Sequence, residues 1–161
     1  MAVFLETARL RLRDFVSADA AFIARMNADP EVMTYLGGPI TDPQESFDWV
    51  ERRPPGFWVA EVLATRAPIG WFHLRPERQE PFELELGYRL IRSAWGQGFA
   101  TEASLGLLDV AREQGAPRVV ATTDVLNLGS RRVMEKIGMR HTADFLYNGN
   151  LPSVRYEIEL G

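Results

Sequence analysis

The residues most able to do chemistry lie between positions 83 and 103. Arg92-Ser93-Ala94-Trp95-Gly96-Gln97-Gly98-Phe99-Ala100-Thr101-Glu102-Ala103 reads as a glycine-containing turn that leaves a strand and enters a helix. Consecutive backbone N–H groups at such a corner form a cup for phosphate oxygens, and the helix dipole favours an anion there. Gly96 and Gly98 let the backbone approach without a Cβ in the way. Gln97 can add an amide, and Arg89 and Arg92 can add positive charge. The alternative is a corner whose glycines serve geometry alone. A dinucleotide fingerprint is a poor match, because Thr101 stands at the third glycine position.

Just upstream, Glu83 and Glu85 share one face of a strand with Gly87 and Arg89, opposite Leu84, Leu86, Tyr88 and Leu90. A carboxylate placed so can accept a proton from a substrate, directly or through water. Equally, both glutamates could coat a solvated strand face. Glu85 is the first candidate for a general base, Glu83 the second and His73 the third. His73 and His141 lack metal-ligand spacing and there are no cysteines, so no metal site is expected.

Elements to position these groups follow from period and punctuation. Arg9–Arg13 alternates as a short strand, and Ser17 is placed to cap a helix starting at Asp19. Asp29-Pro30 restarts helix before Gly37-Gly38-Pro39, and Thr41-Asp42-Pro43 opens another helix that Pro54-Pro55-Gly56 ends. Phe57–Ala64, Ile69–Arg75 and Phe82–Ile91 are strands, separated by Arg66-Ala67-Pro68 and by the polar stretch Pro76–Pro81. A helix follows to about Gln114, then a strand over Arg118–Asp124 and a shorter helix from Asn127 or Gly129 to Gly138. Two strands around Met139–Leu146 and Val154–Leu160 close a hairpin across Asn148-Gly149-Asn150. The fold class is α/β (α+β): one domain over residues 1–161, with a central, mixed, mostly antiparallel sheet of about six to seven strands and about four to five flanking helices.

A hydrophobic fraction of 46% and charged fraction of 25% suit a globular domain, and no apolar run is long enough for a membrane span. Residues 1–13 carry no signal-peptide core, so a cytoplasmic protein is expected. The net charge of −4 speaks against a nucleic-acid binder.

Four segments together resemble the GNAT superfamily, the Gcn5-related N-acetyltransferases, most of all its branch of RimJ/RimL-like ribosomal-protein N-acetyltransferases. They are Thr7–Arg13 with Ser17–Ala20, Glu85–Leu90, Trp95–Ala103, and Asn127–Ser130 continuing through Val133, Glu135, Lys136, Gly138 and Met139. The resemblance implies acetyl-CoA as cofactor, CoA as product, and transfer of the acetyl group to a primary amine by direct attack in a ternary complex. By the same likeness Tyr88, Arg89 and Leu90 would meet the thioester arm, and Trp95, Gly96, Gln97, Gly98, Phe99, Ala100 and Thr101 the pyrophosphate. Asn127 and Ser130 would meet the pantetheine, and Glu85 and Ser130 would be catalytic. Many members carry a tyrosine where this chain has Met134; Ser130 is the candidate substitute for protonating the departing thiolate.

The acceptor pocket is expected from Asn27–Asp48 and the Phe145–Pro152 hairpin, with Tyr35, Phe47, Trp49, Trp58 and Tyr147 as possible walls. A protein N-terminal amine leads, with an aminoglycoside, polyamine or amino acid as alternatives. A non-catalytic acyl-CoA sensor and an interaction scaffold are the other readings, and a homodimer through strand edges is compatible with all of them.

Overall fold

The computed structural model describes residues 2–78 and 82–161; the part of the Pro76–Pro81 connection over 79–81 lies outside them. Its elements run β1 (Val3–Glu6), β2 (Leu10–Arg13), α1 (Asp19–Asn27), α2 (Pro43–Arg52), β3 (Phe57–Val62), β4 (Pro68–Arg78), β5 (Glu83–Leu90), α3 (Phe99–Glu113), β6 (Arg118–Asp124), α4 (Leu128–Lys136), β7 (Arg140–Tyr147) and β8 (Leu151–Glu159). A 3₁₀ turn at Arg92–Ala94 precedes α3. The sheet has eight strands in the order β1-β2-β3-β4-β5-β6-β8-β7, more than the six to seven expected. The extra strand is β1, which folds back antiparallel on β2 with Val3 opposite Arg13 and Glu6 opposite Arg11. Residues Val3–Glu6 are mostly exposed, so no burial pattern marks them in the sequence.

The chain clusters into two compact units: residues 1–73 with 88–99, and residues 74–87 with 100–161. In the first, β2, β3 and the start of β4 form an antiparallel meander, with Leu12 opposite Ala60 and Val59 opposite Trp71. Phe15, Ile23, Met26, Met33, Val50 and Trp71 make its core. A buried ion cluster joins β2, β3 and α1: Arg13 donates to both oxygens of Asp19 and to Glu61, each at 2.9 Å. The hydrogen bond to Asp19 above all holds the Arg13 guanidinium well above its ordinary value, against burial and with help from Glu61.

That cluster corrects the Ser17 expectation. Helix α1 does begin at Asp19, but its N-cap is Ala18 without a side-chain bond, and Asp19 itself accepts the Val16 N–H at 2.8 Å. The Asp29-Pro30 helix is absent as well. The segment makes isolated turns, such as Met33 N–H to Asp29 O at 3.1 Å, and Asp29 is held by Arg92 instead. By contrast, Asp42 caps α2 by accepting the Gln44 N–H at 3.0 Å, with Pro43 in the first turn.

In the second unit β5 and β6 run parallel, β6 and β8 antiparallel along all of β6, and β7 forms the hairpin partner of β8. Asn148 and Gly149, both at positive φ, turn that hairpin. Leu107, Leu108, Val119, Val120, Val154 and Tyr156 are among its most buried side chains. Among the described residues no helix is long and apolar enough to cross a membrane.

Candidate active site

In the first unit the chain leaves β5 through Tyr88, Arg89 and Leu90 and turns at once into the glycine corner. Tyr88 packs on Phe72 with ring centres 5.4 Å apart, and Leu90 is buried. The Trp95 indole N–H donates to the Leu90 carbonyl at 3.0 Å, pinning the exposed ring across the turn. Gly96 and Gly98 have φ of 72° and 81°, a region costly for any residue with a Cβ. Their identity is therefore required by backbone conformation. The Gln97 side-chain amide, expected to reach an anion, donates to the Ser93 carbonyl at 2.7 Å and closes the loop on itself.

One residue that sequence reasoning had not drawn to this corner is Arg9. Its Nη1 donates to the Gln97 carbonyl at 2.9 Å, and its guanidinium lies 4.4 Å from the centre of the Phe99 ring. A Cβ on Gly98 would stand 3.4 Å from Arg9 Nη2. The cation thus sits at the mouth of the turn. Arg92, by comparison, is engaged by Asp29 at 2.6 Å and Glu31 at 3.1 Å, the Asp29 bond chiefly raising its pKa. Phe99 is buried and opens α3, which carries Ala100 and Thr101 in its first turn. Two glycines at positive φ and the Arg9 cation at the mouth of the turn give this corner the means to receive an anion.

Gly70 is the other position that no local sequence pattern singled out. It lies on β4 at φ 150°, and a Cβ there would fall 1.9 Å from the Arg89 carbonyl oxygen. Only glycine allows this approach, which the Ile91 N–H to Ile69 carbonyl bond of 2.9 Å maintains. His73, three residues on, is packed edge-on to Phe57 and stacked on Trp71 in an aromatic cluster with Trp49. Of the other aromatics expected as pocket walls, Trp58 stacks on Phe4 and Tyr147 is exposed on β7.

In the second unit the β5–β6 ladder comprises Glu83–Arg118, Leu84–Val119 and Glu85–Val120, then stops although both strands continue. The two glutamates of this stretch have different surroundings. Glu83 is 1% exposed and ringed by Arg118 at 3.0 Å, Arg155 at 3.4 Å and Arg78 at 3.9 Å. These ion pairs tie β5 to β6, β8 and the end of β4.

Glu85 is half-buried and shares a hydrogen bond with Glu77, at the exposed end of β4. Partial desolvation raises the Glu77 carboxyl; the charge of Glu85 and the shared bond raise it further, against Arg155. Two carboxyls so close bind a proton together more tightly than either would alone. A raised carboxyl binds more protons folded than unfolded, so this pair's contribution to stability declines as pH climbs through the raised value. Glu77→Gln should therefore raise the melting temperature at pH 7 and flatten its dependence on pH from the ordinary carboxylate range up to neutrality. Melting curves of both proteins across that range check this, and an identical pH dependence would contradict the pairing.

Asn127 caps α4, its Oδ1 accepting the Ser130 N–H at 3.2 Å. The cap joins the two residues expected at the cofactor, with Ser130 half-buried in the first turn. Met134 is buried one turn on. Arg131 is held by the Tyr156 hydroxyl at 3.1 Å and the Val125 carbonyl at 2.9 Å.

Residues 9–140 match the family model described as an acetyltransferase (GNAT) domain. The chain is similar to the Bacillus subtilis protein YkkB, 34% identical with 95% of this chain and 94% of that one covered. It is also 30% identical to the FsC-acetyl coenzyme A-N(2)-transacetylase of Aspergillus fumigatus, over 96% of this chain and 75% of that one. Among solved structures, a GNAT-family acetyltransferase from Bacillus anthracis superposes with a TM-score of 0.89 at 25% identity, covering 98% of both chains. The ribosomal L7/L12 α-N-protein acetyltransferase RimL, solved with CoA, shares the fold at a TM-score of 0.81 and 17% identity, again over 98% of both chains. Strand–turn–helix geometry, family model and relatives agree: this chain belongs to the GNAT family of acetyltransferases.

Proposed function

We propose that this protein, acting as one N-acetyltransferase domain, moves the acetyl group of acetyl-CoA to a primary amine bound beside it. The carrying observation is the Trp95–Gly98 corner: two glycines held at positive φ, with Arg9 at its mouth. In this reading the N–H groups of Gly96 to Thr101 hold the pyrophosphate. The backbone of Tyr88, Arg89 and Leu90 orients the thioester arm, and Asn127 and Ser130 steady the pantetheine. Acetyl-CoA supplies the activated acyl group.

The remaining chemistry belongs to side chains of this chain. An amine is protonated near neutral pH and attacks only after losing that proton. Glu85 takes it, directly or through water. Ser130 is the proton donor to the leaving sulfur, since Met134 has no proton to give. A backbone N–H aimed at the carbonyl oxygen adds a contribution of about 2.7–4 kcal/mol at such sites.

The acceptor is a primary amine. The name of the Aspergillus relative points to an N(2) amine on its substrate, and the RimJ/RimL-like sequence segments point to a protein N-terminal amine. Glu85→Gln tests the assignment of the base. kcat should fall about 10²-fold or more while acetyl-CoA affinity holds within about twofold, because proximity alone retains part of the rate. Initial rates of CoA release at saturating acetyl-CoA measure this, and an unchanged kcat would remove Glu85 from the mechanism.

A further inference from the structure

Among the described residues, Arg89 is a half-buried cation without a counter-charge. Its Nη1 donates to Asn27 Oδ1 at 2.7 Å, and its guanidinium lies 5.2 Å from the centre of the Trp71 ring. Its Nε is buried and meets no acceptor. The Asn27 amide is held in this orientation, because its Nδ2 donates to Ser46 Oγ at 2.9 Å and both residues are buried. The other buried arginine of this unit, Arg13, is matched by two carboxylates. Nothing comparable balances Arg89 among the described residues; burial alone pushes its guanidinium down to about 10.

A guanidinium is poorly accommodated by an amide oxygen and an aromatic face when one of its own donors is left unsatisfied. A planar carboxylate answers its charge and its paired N–H geometry at once. Arg89 also stands between Tyr88 and Leu90, the strand residues assigned above to the thioester arm. Its acceptor Asn27 ends α1, and Ser46, which holds Asn27, lies in α2; these two helices bound the segment expected to form the acceptor pocket. The phosphates of the cofactor have their own donors at the glycine corner and Arg9.

We propose that Arg89 is the acceptor-recognition residue of this enzyme: its guanidinium receives a carboxylate carried by the acceptor, so the preferred acceptors are carboxylate-bearing primary amines. The proposal rests on the acetyltransferase reading and specifies its substrate class. Two sources share this chemistry, the α-carboxylate of an amino acid and the acidic side chain of a peptide N-terminal residue.

The test is an NMR titration of the CoA-saturated wild-type protein, following the Arg89 Nε–H resonance. The resonance is assigned by its absence in Arg89→Lys, or in Arg89→Gln should the lysine variant fail to fold. The probes mimic products: N-acetylglycine, N-acetylaspartic acid α-amide, and N-acetylglycinamide as the uncharged control. At least one carboxylate should shift the resonance saturably and bind about tenfold or more tighter than the control. Whichever carboxylate binds tighter identifies the source. Equal effects of control and carboxylates, or no shift with any probe, would overturn the proposal. Failure of CoA itself to bind would count against the acetyltransferase reading, and the same titration without CoA would still report on Arg89.

Discussion

Gly70→Ala is expected to destabilise the protein by about 3 kcal/mol or more and to lower its melting temperature by about 6–12 °C. The added methyl has nowhere to go. It would fall 1.9 Å from the Arg89 carbonyl oxygen and 2.9 Å from both the Arg89 carbonyl carbon and Leu90 Cα, all backbone atoms. A flexible side chain could swing aside; a strand backbone can yield only by moving the strand. That movement would break the Ile91 N–H to Ile69 carbonyl bond and shift the segment assigned to the thioester arm. Activity should therefore fall further than stability alone dictates, even at temperatures where the variant is folded. Thermal melts with acetyl-transfer rates at 15 °C separate the two effects (about the temperature of maximal stability). A variant that melts within about 2 °C of wild type would show that the close approach is not required.

Gly98→Glu should weaken acetyl-CoA binding by about 100-fold or more, which corresponds to about 2.7 kcal/mol. Three effects act in the same direction. A residue with a Cβ at φ 81° costs about 1–2 kcal/mol, so the loop relaxes away from the shape that aims its N–H groups. The new carboxylate repels the phosphates. It also lies within reach of Arg9, whose Nη2 is 3.4 Å from where the Cβ would be, and would take that cation for itself. Because Gly98 is exposed, the fold should survive, with a melting temperature changed by a few degrees at most. Calorimetric titration of wild type and variant measures the ratio; equal affinities would remove the corner from the cofactor site.

These positions show what a sequence reveals and what it conceals. The glycine turn at Gly96–Gly98, strand β6 at Arg118–Asp124 and the Asn127 cap were legible because each is encoded within a few consecutive residues. Glycine spacing, β-branched runs and an asparagine before a helix act locally, and the chain obeys them. Where a distant partner intervened, the local signal misled. Asp19 was drawn to Arg13 and took the place of Ser17 in organising the start of α1. Asp29 was drawn to Arg92, and the turns after Pro30 never became a helix. Gly70 and Arg9 matter through residues 19 and 88 positions away, and no spacing rule connects them. Glu83 and Glu85 look equivalent on a strand, yet three arginines from other strands hold the one and Glu77 pairs with the other.

Whether the Trp95–Gly98 corner binds acetyl-CoA for transfer to an amine is decided by calorimetric titration of the wild-type protein with acetyl-CoA. Saturable binding of one acetyl-CoA per chain, lost in Gly98→Glu, is the result expected. No binding by the folded wild-type protein would contradict the account.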